Sequence, residues 1–282
     1  MALTPLVTAL VLCAALMHAS WNAIVKSDSD RLASFGLVMV AGSLLGAAIA
    51  PFVPLPDVAA WKWIAASVVI HVFYFVFLLR AYAHGDLGHV YPIARGLGPT
   101  LVAIFSDLLV GERVSTQEAV GVGLVSLGII GLALGNGWRG LGGRGTLFAV
   151  LTGLTIAAYT VADGTGVRSS GNALAYIVWL NIAQGPWVFA VALYLRGAAL
   201  LPYLRTQWPR GSAGGVIAAV GYGIAIWALS LGTMAHVAAL RETSVLFAAL
   251  IGTFLLGERF GARRIVAASI IVGGLILMNL PL

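Results

Sequence analysis

Long apolar runs separated by short charged punctuation dominate this chain: residues 1–25, 32–56, 63–79, 119–138, 145–162, 169–195, 211–240 and 265–282 contain no Asp, Glu, Lys or Arg. A helix crossing the hydrocarbon of a bilayer needs about 20 apolar residues, and most of these runs are long enough. Adding the segments interrupted only by Arg95 and Asp107, or by Arg241 and Glu242, predicts ten helices near 2–25, 32–53, 58–83, 88–110, 117–135, 145–163, 173–195, 212–233, 235–256 and 263–280. The fold expected is therefore an all-α integral membrane protein. The first apolar run lacks a basic leading region and continues past the usual length of a signal-peptide core, so it reads as a retained helix.

Composition narrows the classes. The chain has 282 residues, 60% apolar and 9% charged, against roughly 25% charged in an average soluble domain. Ten spans use about 200 residues, which leaves no room for a soluble domain. Cys13 is the single cysteine, so no disulfide framework, cysteine zinc site or iron–sulfur cluster is expected, and no metal or cofactor. A net charge of +6 would suggest nucleic acid in a soluble protein, but the basic residues are scattered along the predicted connections and read as topology signals. The odd-numbered connections hold eleven of them (Lys26, Arg31, Arg80, Arg139, Arg144, Arg196, Arg205, Arg210, Arg259, Arg263 and Arg264), and the even-numbered ones hold Lys62, Arg113 and Arg168. That bias predicts odd connections in the cytoplasm and both termini outside. Trp61, Trp63, Trp138 and Trp208 fall where interfacial anchors belong, and Gly42 with Gly46 and Gly131 with Gly135 would let helices approach closely.

An internal duplication carries more. Arg95 through Leu109, Val110, Gly111, Glu112 and Arg113 reappears 146 residues later as Arg241 through Leu255, Leu256, Gly257, Glu258 and Arg259, with Gly128 matching Gly274. Two apolar helices match by chance easily, but two charged turns and an arginine in register do not. The halves are then residues 1–138 and 139–282. Five spans in each is an odd number, so the second half enters from the opposite side and the repeat is inverted, the architecture of alternating-access carriers with a site between the halves.

On these features the chain resembles the drug/metabolite transporter superfamily, in particular its EamA-type branch with ten helices in two five-helix halves. Many members of that branch carry a Glu-Pro pair early in helices four and nine, where this chain has Gly98-Pro99 and Ser244-Val245.

Candidate site residues follow from intramembrane polarity. Arg95 and Arg241 each lie about a third of the way into a span, roughly 6 to 7 Å from its midpoint. Each reads as a carboxylate anchor or gate, or else as a structural arginine buried against Glu242 or Asp107. Adjacent Arg241 and Glu242 point about 100° apart and do not pair with each other. Helix three places His71, Tyr74, Leu78 and Tyr82 on one stripe. The segment from Tyr91 and Pro92 to Pro99 combines two prolines with glycines and puts Tyr91 on the face of Arg95, an interruption of the sort that lines transport sites; the second half shows no match. His18, Trp21 and Asn22 share a face of helix one, and Tyr159, Tyr222 and Trp227 are further lining candidates. Ordinary packing is the alternative for each of the aromatic residues.

Aromatic walls suit an apolar ligand, while Arg95, His71 and tyrosine hydroxyls suit a carboxylate or amide, a combination that amphipathic amino acids meet. The resemblance is then to YddG-like exporters of aromatic and other hydrophobic amino acids. It implies a small-molecule substrate, a bacterial-type inner membrane, alternating access and a monomer as sufficient unit. Other cargo of the superfamily, drugs and purines included, and a lipid-linked substrate for a flippase remain alternatives. An enzyme is disfavoured: Ser126 lacks a nucleophile elbow, Asp163-Gly164-Thr165-Gly166 has no second copy, and no His-Glu-x-x-His occurs. A channel would favour a continuous polar stripe over an inverted repeat.

Overall fold

The computed structural model describes residues 3–133, 143–256 and 261–280. The second Gly-Glu-Arg turn at Gly257, Trp138, Arg139, the Gly135 of the second glycine pair and the 138/139 boundary lie outside them. The described chain is helical: α1 Pro5–Lys26, α2 Arg31–Ile49, α3 Val58–His84, α4 Leu87–Val110, α5 Thr116–Ala133, α6 Arg144–Arg168, α7 Ala173–Arg196, α8 Leu200–Leu229, α9 Met234–Arg241, α10 Ser244–Leu256 and α11 Ala262–Asn279. Local signals set several boundaries. Thr4 caps α1 with Pro5 behind it, Asp30 caps α2 through the Ala33 N–H, and Asn172 caps α7 through the Ala175 N–H. Gly111 ends α4 in the left-handed conformation (φ +71°), and the Gly111 and Glu112 N–H groups donate back to the Asp107 and Ser106 carbonyls.

Eight segments among the described residues are long and apolar enough to cross a membrane; one, Ala173–Leu229, holds both α7 and α8. Thr116–Leu132 is apolar but shorter. Large apolar side chains such as Val69, Phe73, Val76 and Leu79 of α3 stand exposed in mid-helix, a surface that water would not tolerate in quantity but lipid would.

Two expectations about helix continuity are corrected. The segment holding Pro92 and Pro99 stays inside one continuous helix, α4. The break falls instead in the second half, between α9 and α10, where a single helix over 235–256 is expected from the sequence. There the Thr243, Val245 and Leu246 N–H groups bond the carbonyls of Leu240, Glu242 and Thr243, so the ladder tightens to a three-residue step. The Thr243 hydroxyl donates to the Leu240 carbonyl at 2.7 Å and competes with the helical pattern. Helix α8 also starts earlier than position 212, because Tyr203 and Arg210 tie its first turns to Asp28 and Ser27 of the α1–α2 connection.

Packing divides the helices into two groups. Helices α1, α2, α7 and α8 pack on one another, as do α3, α4, α6 and α9, while α5 pairs with α11 and flanks α4. These pairings exchange when the halves are swapped: α3 on α6 becomes α8 on α1, and the pairs α2–α7 and α5–α11 map onto themselves. The α5–α11 contact shows the symmetry at single residues. A Cβ on Gly128 would come within 3.1 Å of the Ala267 carbonyl, and one on Gly274 within 2.7 Å of the Gly121 carbonyl, so both repeat-matched glycines are needed for backbone approach.

Side-chain ties identify the two ends. At one, Asp30 pairs with Arg196 and the turn after α3 packs against Gly145 at the start of α6; this end gathers Lys26, Arg31, Arg144 and Arg196 and is termed the basic end. At the other, the Asp57 N–H donates to the Ser170 carbonyl, Leu3 packs on Gly232, and Gln117 donates to the Leu280 carbonyl, so both described chain ends lie there; it is termed the terminal end. Helix α1 starts at the terminal end and α6 at the basic end, so the second half runs inverted relative to the first.

Candidate functional site

Between the two helix groups lies a cavity of about 100 Å3, room for several waters. Its wall includes His18 and Trp21 of α1, Phe35 of α2, His71, Tyr74 and Phe75 of α3, Arg95 of α4, Tyr159 of α6, Asn181, Gln184 and Trp187 of α7, Tyr222 of α8 and Arg241 of α9. A smaller void beside it shares His18, Trp21, Arg95, Tyr222 and Arg241. On α1, α2 and α3 the lining residues fall in the middle or toward the basic end, whereas Tyr159, Tyr222 and Arg241 lie on the terminal side of the middle of their spans.

The aromatic floor is continuous. The His71 ring stacks on Tyr159 with centroids 4.1 Å apart, meets Tyr222 edge-on at 6.1 Å, and lies 6.2 Å from Tyr74. His71 Nδ1 donates to the Ser67 carbonyl at 2.8 Å, which leaves Nε2 as the ring's acceptor. Gln184 reaches the same histidine from α7, at 3.3 Å. Toward the basic end Phe75 sits against Phe35 (4.7 Å) and Trp187 (5.5 Å), bridging the two helix groups with three rings.

Charge is arranged around this floor. Arg95, 4% exposed, places Nε 2.8 Å from Glu242 Oε2 and donates from a terminal nitrogen to Ser244 Oγ at 3.2 Å. Glu242 is available because it sits at the α9–α10 break, where its side chain turns toward α4. Arg241 points elsewhere, its guanidinium lying over the Tyr222 ring at 5.4 Å. Behind that ring Asp163 is buried, accepting one hydrogen bond from Tyr176 (3.0 Å) and another from Tyr222.

The terminal end of this region is closed. Arg168 donates to the Leu229 carbonyl at 2.8 Å and the Gly232 carbonyl at 2.7 Å and pairs with Glu112, whose other oxygen accepts the Met234 N–H. One arginine at the end of α6 therefore ties α4, α8 and α9 together.

Of the residues expected from the sequence, His71, Tyr74, His18, Trp21, Arg95, Tyr159 and Tyr222 come together on the cavity wall, joined by Arg241. Five do not. Asn22 folds back onto the His18 carbonyl (2.7 Å), and Trp227 packs into the core around Val11 and Leu229. Tyr91 packs against the cluster holding Val245 and Ile271, Tyr82 is 37% exposed, and Leu78 lies outside the lining. Tyr91, Asn22 and Leu78 each lie one helical turn from a lining residue, Arg95, His18 and Tyr74, and Tyr82 two turns from Tyr74. The contributions of α2 and α7 escape the sequence reading; Asn181 and Gln184, polar and one turn apart in the run 169–195, are the signal for them. Among the described residues no group of three His, Cys, Asp or Glu side chains is placed to hold a metal ion.

The sequence model of the EamA-like transporter family matches this chain twice, over residues 6–134 and 143–280. No curated protein matches it. Among the solved structures that do, one titled "Crystal structure of protein" is 19% identical, with a TM-score of 0.73 over 96% of this chain and 94% of its own. At that identity the likeness is one of fold.

Proposed function

This chain belongs to the EamA-like transporter family, and from that premise we propose that it is a carrier of small amphipathic metabolites, hydrophobic and aromatic amino acids foremost. It works by alternating access, as an exporter in a bacterial-type inner membrane, and as a monomer. Ten crossings follow if α7 and α8 are separate spans and α5 is one despite its length. The halves 1–138 and 139–282 are the two repeats. The positive-inside bias puts the basic end in the cytoplasm and both chain ends outside. The end closed by Arg168 is then the outer one, which suits a carrier that loads from the cytoplasm.

The observation that carries the substrate reading is the composition of that one cavity: stacked aromatic rings, a histidine with a free acceptor nitrogen, and a guanidinium, gathered where the helix groups meet. Such a wall offers an apolar surface for a side chain, a cation for a carboxylate and an acceptor for an ammonium. The residues assigned to substrate are His18, Trp21, His71, Tyr74, Tyr159 and Tyr222; Arg95 shares their wall but is paired with Glu242.

The test is flux of radiolabelled Trp, Phe, Met, Leu, Thr and Lys in proteoliposomes of purified protein, with and without an imposed proton gradient. Saturable flux of the apolar amino acids is expected, reduced by His71→Ala or Tyr74→Ala in folded protein. Absence of such flux from folded protein would remove the amino-acid assignment, and full activity of both variants would remove the α3 site.

A further inference from the structure

The two repeat-matched arginines are not doing the same work, and the reason is visible one residue further on. Arg241 is followed by Glu242, whereas Arg95 is followed by Gly96, 146 residues earlier. Gly96 cannot be replaced by an acid: a Cβ there would stand 2.6 Å from Ile130 Cγ1 and 3.1 Å from the Ser126 carbonyl. One carboxylate thus serves the pair, and it is committed to Arg95. The Arg95–Glu242 pair is buried on both sides (4% and 5% exposed side chains), and Ser244 takes a further donor of the arginine.

Arg241 has no such partner. Among the described residues it makes no hydrogen bond or close ion pair; its guanidinium lies over the Tyr222 ring face, and the Asp163 and Glu242 carboxylates act on it only at longer range. Asp163 stands behind that ring, but its oxygens receive Tyr176 and Tyr222, and at 1% exposure it is shut off from the cavity. A second donor points the same way: Trp187, also in the cavity wall, has a buried indole N–H with no acceptor. Unpartnered donors in a low-dielectric wall are costly unless a ligand satisfies them.

We infer that Arg241 is the anchor for a carboxylate group of the cargo, and that Arg95 is a positioning residue whose charge Glu242 has already neutralised. The guanidinium presents a planar fork that matches a carboxylate. One free guanidinium balances a single negative charge and so favours a monocarboxylate over a phosphate ester. Phe35, Phe75 and Trp187 on the basic side receive the apolar body. The inference rests on the carrier reading for its setting and narrows its substrate class to compounds with a free carboxylate.

It is tested by titrating 3-phenylpropionate, L-phenylalanine and phenethylamine calorimetrically against the purified full chain. The two carboxylates are expected to bind at least about tenfold more tightly than the amine, as loss of a partner from a desolvated charge pair predicts. Arg241→Gln should abolish that preference and Arg241→Lys restore part of it. Equal binding of phenethylamine by the wild type, binding of none of the three, or a carboxylate preference surviving Arg241→Gln would each overturn the inference. If Arg241→Gln fails to fold, the wild-type series still tests the carboxylate preference and Arg241→Lys tests whether this residue supplies it. Carboxylate binding without flux in proteoliposomes would uphold the anchor and overturn the transport reading, whereas flux indifferent to the carboxylate would do the reverse.

Discussion

The two ends of the bundle are held together in different ways. At the terminal end the polar ties run between the helix groups. Asp163 of α6 receives Tyr176 of α7 and Tyr222 of α8, and Arg168 of α6 grips the carbonyls at the end of α8. At the basic end the polar ties stay within one group, Asp28 and Asp30 of the α1–α2 connection meeting Tyr203 of α8 and Arg196 of α7. What crosses between groups on that side is aromatic contact through Phe75. Directional bonds lock one end, while contacts that slide at little cost cover the other, so the cavity has a firm floor and a loose cover.

If that contrast is right, the largest effect comes from the floor. Asp163→Ala leaves the buried Tyr176 hydroxyl without its acceptor, at roughly 1–3 kcal/mol, and the partly buried Tyr222 hydroxyl at less. The expected result is a clear drop in the melting temperature of the purified protein in detergent. An unchanged melt would mean that Asp163 does not join the groups. Arg168→Ala should follow. It removes hydrogen bonds to a charged donor, worth about 1–2 kcal/mol once allowance is made for the 31% exposure of its side chain. Spin labels at Thr116 and Leu231, in a Cys13→Ser background, should then report a broader and longer distance distribution. A distribution like that of the unmodified staple would show the terminal end held by other contacts.

Much of this arrangement is legible in the chain. Uncharged runs locate the helices because hydrocarbon forbids unpaired charge, and the Arg95/Arg241 register locates the repeat. Intramembrane polarity finds His71, Tyr74 and both arginines. What the sequence hides is relational. Pro92 and Pro99 look like the break, yet neighbouring helices keep α4 continuous, and the break falls at Glu242-Thr243, where no proline marks it. Which arginine Glu242 serves depends on the turn of that broken segment. Periodicity alone, moreover, cannot say that Tyr91 faces Val245 while Arg95, one turn on, faces the cavity.

The cover gives a smaller effect of a different kind. Phe75→Ala removes the ring that joins Phe35 to Trp187 and should leave the fold stable, since Phe75 is only partly buried. A cysteine at Ala219, inside the cavity, should react with a bulky maleimide several-fold faster in that background, and Arg168→Ala should not reproduce the acceleration. Equal rates with and without Phe75 would mean that the three rings are not the barrier on the basic side.

The smallest effect belongs to the clasp within one group. Burial works against ionisation of Asp30, but the Arg196 guanidinium and the Ala33 N–H outweigh it and hold the carboxyl below its usual value of 3.8. A lowered folded pKa means that the unfolded chain takes up a proton first as pH falls. The contribution of the clasp is therefore complete above the carboxylate range and fades as pH drops through 3.8 toward the folded value. Both side chains are partly exposed, so the contribution is at most about 1 kcal/mol. Asp30→Asn should lower the melting temperature slightly at pH 7 and by less near pH 3, below the unperturbed carboxylate value of about 3.9. A difference undiminished at the lower pH would assign the effect of Asp30 to its capping bond at the start of α2 and not to Arg196. In that case the basic end would owe its order to backbone capping, and the contrast with the charge-locked terminal end would be sharper still.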